Sequence, residues 1–278
     1  MALNIITNDL TDAQFESISS LVKRVAGINL HEGKRELVKS RLNKRLRALK
    51  MDGFDQYIKY LAADNTATEL VEMLDAISTN LTSFFRENSH FEFFSDQLLP
   101  RLAENARKSG RRRLRGWSAG CSSGEEPYTI AMCLRETLAD LNAWDARVLA
   151  TDLCTKVLAN AQRGIYAPDR LEKIPPQLRS KYFTRLGDGD WQAGEALRGL
   201  ITFARLNLME PWPMSGPFDF IFCRNVMIYF DKPTQARLVE RYWQLLDRGG
   251  VLFIGHSESL TGVEHRFRYI QPTVYQKT

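Results

Sequence analysis

The chain has 278 residues, 44% of them hydrophobic and 26% charged, which is the composition of a soluble globular protein with room for one large domain or two ordinary ones. It contains no run of about 18 apolar residues and no basic leader followed by an apolar block, so we expect neither membrane insertion nor secretion. The formal net charge of +5 allows an acidic partner, either nucleic acid or an acidic protein.

The four cysteines are far apart and form no C-x-x-C pair, so the sequence indicates neither a zinc site nor a disulfide framework. We expect no metal, and we expect most of these cysteines to be buried, reduced thiols of a cytoplasmic protein. They are Cys121, Cys133, Cys154 and Cys223.

The N-terminal part of the chain predicts helices throughout. Thr11-x-x-Gln14 resembles a capping box, and apolar residues follow it at helical spacing. Further helices are predicted over 33–50, 54–63 and 67–79. The last of these is expected to begin with the pattern Thr66-x-x-Glu69. We therefore predict an all-helical domain over residues 1–80.

The second predicted helix is strongly basic, with eight lysines and arginines among the seventeen residues 34–50. Most charge runs are simply the solvated face of a helix. This density instead favours a docking surface for an acidic partner. The docking candidates are Lys39, Arg41, Lys44, Arg45 and Arg47.

The connector TNLTSFFRE follows the helical domain and fits neither helical nor strand periodicity. Asn80, Thr82 and Arg86 are unusual polar residues to find between two helical stretches. The segment reads either as a domain linker with Phe84 and Phe85 packed beneath it, or as part of a site.

A strand, a glycine turn and a helix N-terminus follow a helix predicted over 88–107, in the stretch RLRGWSAGCSSGEEPYTIA. Gly120 and Gly124 let a ligand approach the backbone, and the helix end offers free N–H groups. The turn lacks the G-x-G-x-x-G pattern, and Glu125 and Glu126 stand where a pyrophosphate would bind. A ligand with a ribose and a positive charge but no phosphate fits better, as S-adenosylmethionine does. The alternative is an ordinary strand–helix turn whose glutamates complement the helix dipole.

Strands and helices alternate after this stretch, which predicts an α/β sheet. A strand over 147–153 ends in Asp152, where a ribose diol can be held by paired hydrogen bonds; Asp152 could also cap the next helix. The alternation lapses over about 164–206, which we interpret as an insertion with an antiparallel hairpin turning near Gly187–Gly189.

The last part of the chain predicts a return to regular sheet. Phe218–Cys223 is expected to form a buried strand, with Arg224, Asn225 and Tyr229 at its carboxyl end, where ligands bind in open α/β sheets. A helix over 233–247, the strand VLFIG and a terminal hairpin from FRYI and TVYQK complete the prediction.

Together the motifs TNLTSFFRE, GEEPY, ATD and FDFIFCRNVMIYFDK resemble the chemotaxis receptor methyltransferases of the CheR family, over nearly the whole chain. The resemblance implies an α/β fold class: an all-helical N-terminal receptor-docking domain followed, over residues 81–278, by a Rossmann-like S-adenosylmethionine-dependent methyltransferase domain with a small antiparallel β insertion. The implied activity is transfer of methyl from S-adenosylmethionine to glutamate side chains of chemoreceptors, with S-adenosylhomocysteine as product.

The resemblance also implies roles for individual residues. Arg86 and Tyr229 would flank the methyl group and the incoming carboxylate. The implied cofactor-binding residues are Asn80, Thr82, Arg86, Gly120, Glu126, Asp152, Asn207, Leu208, Asn225 and Val226. A glutamate carboxylate is already ionised at pH 7, so no general base is required.

The implied partner is the set of glutamate-rich methylation helices of chemoreceptors, met in the cytoplasm by a monomer. Some family members also grip a peptide at the receptor's C-terminus through the insertion, but the shorter insertion here argues against that contact.

Two alternatives from other classes stay open. A nucleic-acid methyltransferase is suggested by the basic helix and GRRRLR, although Arg224-Asn225-Val226-Met227 replaces the proline-containing loop of amine methylation and no Pro-Cys nucleophile occurs. A non-catalytic S-adenosylmethionine-binding module is the other, and the presence of Arg86 and Tyr229 argues against it.

Overall fold

The computed structural model describes residues 9–78 and 80–278. Residues 1–8 and Thr79, with which the last predicted helix of the N-terminal domain would end, lie outside the described residues. The first domain is helical, as predicted. Its helices are α1 (Asp12–Ala26), α2 (Arg35–Leu49), α3 (Phe54–Ala63) and α4 (Thr68–Ile77).

The starts of these helices test the predicted caps. The capping box is confirmed, because the Gln14 N–H donates to Thr11 Oγ1 and the Thr11 N–H donates to the Gln14 side chain. The predicted start of α4 is wrong. The Thr68 N–H donates to Thr66 Oγ1 at 3.3 Å, but the next two N–H groups, of Glu69 and Leu70, donate to the Asp64 carboxylate at 2.7 and 3.4 Å. A carboxylate is the stronger acceptor, and Thr66 Oγ1 itself donates to Asp64.

The second domain is an α/β layer structure. Its helices are α5 (Ser89–Phe93), α6 (Leu99–Ser109), α7 (Glu125–Thr137), α8 (Thr155–Arg163), α9 (Pro176–Tyr182), α10 (Glu195–Arg198) and α11 (Lys232–Leu245). A π-helical turn over Phe94–Leu98 joins α5 to α6, so the helix predicted over 88–107 is present with one irregular turn.

Seven strands form the main sheet in the order β6-β2-β1-β7-β8-β10-β9. The strands are β1 (Arg113–Ala119), β2 (Asp145–Asp152), β3 (Ile165–Tyr166), β4 (Phe183–Arg185), β5 (Trp191–Ala193), β6 (Ile201–Arg205), β7 (Phe218–Cys223), β8 (Leu246–Ile254), β9 (Arg268–Gln271) and β10 (Val274–Gln276). The five strands from β6 to β8 are parallel, and the terminal hairpin β9–β10 adds antiparallel to β8. The predicted fold class is therefore confirmed.

The insertion is shorter than predicted. Strands β3, β5 and β4 form a separate antiparallel sheet, and the turn between β4 and β5 contains Gly187 and Gly189, as expected. Ile201–Arg205 does not belong to it, because this strand pairs in parallel with β2 at the edge of the main sheet. Short apolar strands are hard to assign to one sheet from local pattern, since long-range pairing decides their place.

Central strands of the main sheet are buried on both faces. Phe220, Ile221, Phe222 and Cys223 of β7 have no exposed surface, which explains why this strand reads as a continuous apolar run. All four cysteines of the chain are buried free thiols, as predicted. In the described ranges, none of the helices has both the length and the apolar character needed to span a bilayer.

Two side chains join the helical domain to the carboxyl edge of the main sheet. Asp75 of α4 accepts hydrogen bonds from the N–H of Thr155 at 3.1 Å and from its hydroxyl at 2.8 Å, and so caps α8 of the other domain. Asn207 donates its amide to the carbonyl of Val25, near the end of α1, at 2.7 Å. The helical domain therefore closes over the sheet edge where ligands bind in this class of fold.

Candidate functional site

A cavity of about 330 Å³ lies between the two domains at the carboxyl edge of the sheet. The helical domain contributes the segment around Ile28, Leu30 and Lys34, and the sheet contributes the ends of β1, β2, β6 and β7. All the predicted cofactor and catalytic residues line it: Asn80, Thr82, Arg86, Gly120, Glu126, Asp152, Asn207, Leu208, Asn225, Val226 and Tyr229. Residues separated by up to 149 positions, from Asn80 to Tyr229, thus meet at one concave surface.

The glycine turn after β1 presents bare backbone to the cavity. Gly120 has φ +85°, and a Cβ built on it would lie 2.4 Å from Cγ2 of Val226. Its N–H and that of Cys121 donate to the Thr151 carbonyl at 2.8 and 2.9 Å, which fixes the turn against β2. Close approach of two loops therefore requires glycine at position 120.

Asp152, at the end of β2, ties together the two loops at the floor of the cavity. Its carboxylate accepts from the Ser122 N–H at 2.8 Å and from the Cys154 N–H at 2.9 Å. Burial raises the pKa of Asp152 in spite of these bonds. Each carboxylate oxygen has further lone pairs, so Asp152 can also accept from a ribose diol. The helix-cap alternative is not what the structure shows, because the Thr155 N–H of α8 goes to Asp75.

The two glutamates that begin α7 face different surroundings. Glu125 is fully buried, pairs with Arg170 of the insertion and accepts from the Ser123 hydroxyl at 2.7 Å. Glu126 lines the cavity and accepts from the Ser118 hydroxyl at 2.7 Å. Burial raises the pKa of Glu126, while nearby positive charge opposes that shift. Of the two, only Glu126 is therefore placed to meet a ligand.

Arg224, directly after β7, is a site residue that the sequence reasoning left without a role. Its side chain is 3% exposed, and its guanidinium lies 3.2 Å from Glu87 Oε2 and 3.5 Å from Glu126 Oε2. It also donates to the Arg86 carbonyl and lies over the Phe91 ring at 5.2 Å. A charged residue placed immediately after a buried strand, at the ligand edge of the sheet, was the available signal.

The connector between the domains is both packed and part of the cavity wall. Phe84 is fully buried beneath it, as the linker interpretation expects. Phe85 and Glu87 have positive φ values of 50° and 55°, an uncommon conformation for such side chains that clusters at functional sites. Arg86 lines the cavity and donates from Nη1 to the Leu81 carbonyl at 2.6 Å, which fixes its direction.

The loop after β7 is held by Glu258, a second residue that the sequence reasoning missed. Its carboxylate accepts from the N–H groups of Asn225 at 3.0 Å and Ile228 at 3.1 Å. Asn225 has φ +58° and donates its amide to Glu87 Oε1 at 3.2 Å. Tyr229 follows in the same loop and lines the cavity. No local pattern marks Glu258, which acts from 33 residues away.

Asn207 and Leu208 line the cavity, but much of their bonding capacity is used elsewhere. The Asn207 amide donates to the Val25 carbonyl and to Glu210, so it serves the domain joint. The Leu208 carbonyl accepts from Arg241 Nη1 at 2.7 Å. These residues therefore shape the wall more than they offer free side-chain groups.

Two of the predicted docking residues on α2 have partners within the helical domain. Arg41 donates to the carbonyls of Ala76 and Ser78 at the end of α4, at 3.3 and 2.7 Å, because a cation satisfies carbonyls left free at a helix C-terminus. Arg45 pairs with the buried Glu69. Both arginines serve the interior of the helical domain rather than its surface.

Three of the predicted docking residues keep a place on or near the surface. Lys39 is partly exposed and pairs with Asp9 at 2.7 Å. Lys44 and Arg47 are exposed. These three remain available to an acidic partner.

Comparison with known proteins gives a consistent family signal. The model of the CheR methyltransferase S-adenosylmethionine-binding domain matches residues 80–276, and that of the CheR methyltransferase all-alpha domain matches residues 13–78. The chain is 42% identical over 271 residues to a chemotaxis protein methyltransferase of Borreliella burgdorferi, covering 97% of this chain and 95% of that protein.

Two further relatives are similar over comparable lengths. Chemotaxis protein methyltransferase 2 of Pseudomonas aeruginosa is 43% identical over 273 residues, covering 95% of this chain and 93% of that protein. A chemotaxis protein methyltransferase of Escherichia coli is 42% identical over 273 residues, covering 96% of this chain and 91% of that protein.

Proposed function

This chain belongs to the CheR methyltransferase family, and from that premise we propose that it transfers methyl from S-adenosylmethionine to glutamate side chains of chemoreceptors, forming glutamyl methyl esters. Membership of the family makes the chain an S-adenosylmethionine-dependent methyltransferase. The observation that carries the finer proposal is the interdomain cavity that Glu126, Asp152, Arg86 and Tyr229 line from four separate segments.

The residues around the cavity fit S-adenosylmethionine chemically. This molecule carries a ribose diol, a positively charged sulfur and no phosphate. Asp152 has acceptor capacity for the two hydroxyls, and Glu126 supplies negative charge near a cation. Gly120 offers backbone without a side chain in the way. When bound, S-adenosylmethionine supplies a methyl group that its positively charged sulfur has already activated.

We assign the remaining work to the walls of the cavity. The substrate carboxylate is ionised at pH 7, so alignment and exclusion of water are what the protein must provide, and alignment is worth about 7–11 kcal/mol in favourable cases. Arg86 would hold the carboxylate by charge-assisted hydrogen bonds, and Tyr229 would orient it. Arg224 would keep Glu126 and the Arg86 backbone in place, since it contacts both.

The cavity mouth suggests how a receptor helix is presented. Leu81 and Ile228 are lining residues with 74% and 48% of their surface exposed, unusually high for apolar side chains. Lys34 and Arg86 stand beside them. An amphipathic helix that carries small apolar residues next to its glutamates would match this mixed rim. This arrangement favours a protein helix over nucleic acid, for which a continuous basic groove would be expected.

The proposal implies a cytoplasmic enzyme, because the receptor methylation helices lie there. That the protein acts as a monomer, and that it leaves the receptor's C-terminal peptide unbound, remain predictions.

The test is transfer of labelled methyl from S-adenosylmethionine to chemoreceptor cytoplasmic fragments, followed by mild alkali. Label released as volatile methanol is the expected result, because esters hydrolyse under these conditions. A fragment with its methylation-site glutamates replaced by glutamine is the control and should take up no label. Label that survives alkali would mean N-methylation, and transfer to DNA or RNA but to no receptor fragment would favour the nucleic-acid alternative.

A further inference from the structure

Behind the cavity wall, three side chains place atoms that carry lone pairs close to one another. Glu87, His90 and His256 each offer a ligand atom, and these atoms all lie within 4.8 Å of one another. His90 has no exposed surface, and its Nδ1 has no hydrogen-bond partner among the described residues. Glu87 Oε2 lies 3.7 Å from that nitrogen.

Hydrogen bonding decides which nitrogen of His90 carries the proton. Thr273 Oγ1 lies 2.6 Å from His90 Nε2 and also 2.6 Å from the Pro272 carbonyl. A carbonyl can only accept, so the single hydroxyl hydrogen of Thr273 goes to Pro272. The hydroxyl must then accept from His90, which puts the hydrogen on Nε2 and leaves a lone pair on Nδ1.

The Nδ1 lone pair therefore faces a carboxylate oxygen and a second imidazole. Two such acceptors at 3.7 Å repel each other unless something positive lies between them. A metal ion bound by both atoms would give the buried Nδ1 lone pair the partner that it lacks among the described residues. Arg224 lies 3.2 Å from the same Glu87 oxygen and offsets part of this repulsion, but it donates no hydrogen bond to His90 Nδ1.

We propose that Glu87, His90 and His256 form a binding site for a divalent transition-metal ion, with Zn²⁺ as the best fit. Two imidazoles and one carboxylate are a ligand set that zinc uses when it keeps a fourth position open. Bonds of about 2.0–2.2 Å would place the ligand atoms about 3.3 Å apart, close to the distance between Glu87 and His90.

The rest of the cluster allows the ion to enter. His256 is exposed, its Nε2 lies 3.3 Å from Ser89 Oγ, and its ring lies 4.9 Å from that of His90. The hydrogen bond that His90 Nε2 donates to Thr273 Oγ1 is the kind of outer contact that fixes a histidine ligand's orientation.

Occupancy of this site would also affect the cofactor cavity, a consequence that rests on the proposed function. Glu87 binds Arg224 at 3.2 Å and the Asn225 amide at 3.2 Å, and both of these residues line the cavity. A metal ion that draws on Glu87 weakens those two contacts. Zinc should therefore lower the affinity for S-adenosylhomocysteine, and S-adenosylhomocysteine must lower the affinity for zinc by the same factor.

The decisive experiment titrates the full-length, metal-free protein with Zn²⁺ by calorimetry and with Co²⁺ by visible absorption. We expect one equivalent to bind, with Co²⁺ bands typical of low coordination number. His256→Gln should weaken binding at least about tenfold, since one of three protein ligands is lost. His31→Gln, which removes another exposed histidine, should bind like the wild type and is the matched control.

Three outcomes would overturn the proposal: no binding of either ion, unchanged binding in His256→Gln, or an equal loss in His31→Gln. Glu87→Gln keeps a similar shape and provides a second ligand variant, which should also bind weakly. The titrations need neither substrate nor methyl transfer, so they succeed or fail independently of the proposed function. Only the reciprocal effect on S-adenosylhomocysteine, expected at about fivefold or more, depends on it.

Discussion

Replacing Gly120 by alanine should destabilise the turn after β1 in two ways: through its left-handed backbone conformation and through steric overlap with Val226. Gly120 has φ +85°, and a Cβ there would lie 2.4 Å from Val226 Cγ2, whereas ordinary contact begins near 3.4 Å. Gly110 is a matched control, because it has φ +70° and its Cβ would meet no described atom within 4 Å. We expect Gly110→Ala to cost about 1–2 kcal/mol of unfolding free energy for the left-handed backbone alone. Gly120→Ala should cost about 1–3 kcal/mol more, because of the overlap.

A double variant tests whether the overlap is the cause. Val226→Ala removes the methyl that the new Cβ would strike, so Gly120→Ala combined with Val226→Ala should recover the overlap cost and leave the backbone cost. Urea unfolding of the single and double variants gives the coupling energy directly. Titration with S-adenosylhomocysteine should show losses of affinity in the same order, since Gly120 and Val226 both line the cavity. Equal losses for the two glycine variants, or no coupling with Val226, would refute the reasoning.

Three further predictions follow from other contacts. Arg86→Ala should lower turnover about 100-fold and should lower the affinity for S-adenosylhomocysteine far less, because it removes a donor to the reacting carboxylate. An equal loss of turnover, measured by kinetics, and of affinity, measured by calorimetry, would contradict this role. Arg45→Ala should lower the unfolding free energy by about 3 kcal/mol, because it leaves the buried Glu69 carboxylate without its ion-pair partner. Lys44→Ala should change the unfolding free energy by less than about 0.5 kcal/mol, but it should weaken receptor binding in a pull-down titration. Below pH 6.5 the unfolded state protonates His90 while the folded state, with a pKa of about 3, does not. The unfolding free energy, measured by urea unfolding, should therefore fall by about 2 kcal/mol from pH 7 to pH 5. In His90→Gln the fall over the same pH range should be smaller.

The elements that sequence pattern predicted well are those whose cause is local. The capping box at Thr11, the strand Phe218–Cys223 and the turn at Gly187–Gly189 depend on residues a few positions apart, and each appears in the structure. The strand Ile201–Arg205 was placed in the insertion because its partner, β2, lies about fifty residues away and leaves no local mark.

Charge density is a weaker guide than periodicity, as the α2 arginines demonstrate. A run of basic residues cannot tell which side chains turn inward. Arg41 and Arg45 lie on the face that meets α4, where free carbonyls and Glu69 bind them. Lys44 and Arg47 of the same helix are exposed. The same composition thus serves both stability and a candidate docking surface.

The cavity also depends on contacts between the domains that the sequence analysis did not predict, one made by Asp75 and one by the predicted cofactor residue Asn207. Asp75 of the helical domain caps α8 beside Asp152, and Asn207 binds the Val25 carbonyl at the other side of the opening. Both contacts use polar groups that would otherwise be buried without partners, so loosening the joint carries a desolvation cost. The helical domain is therefore a structural wall of the cofactor site as well as a candidate receptor-docking unit.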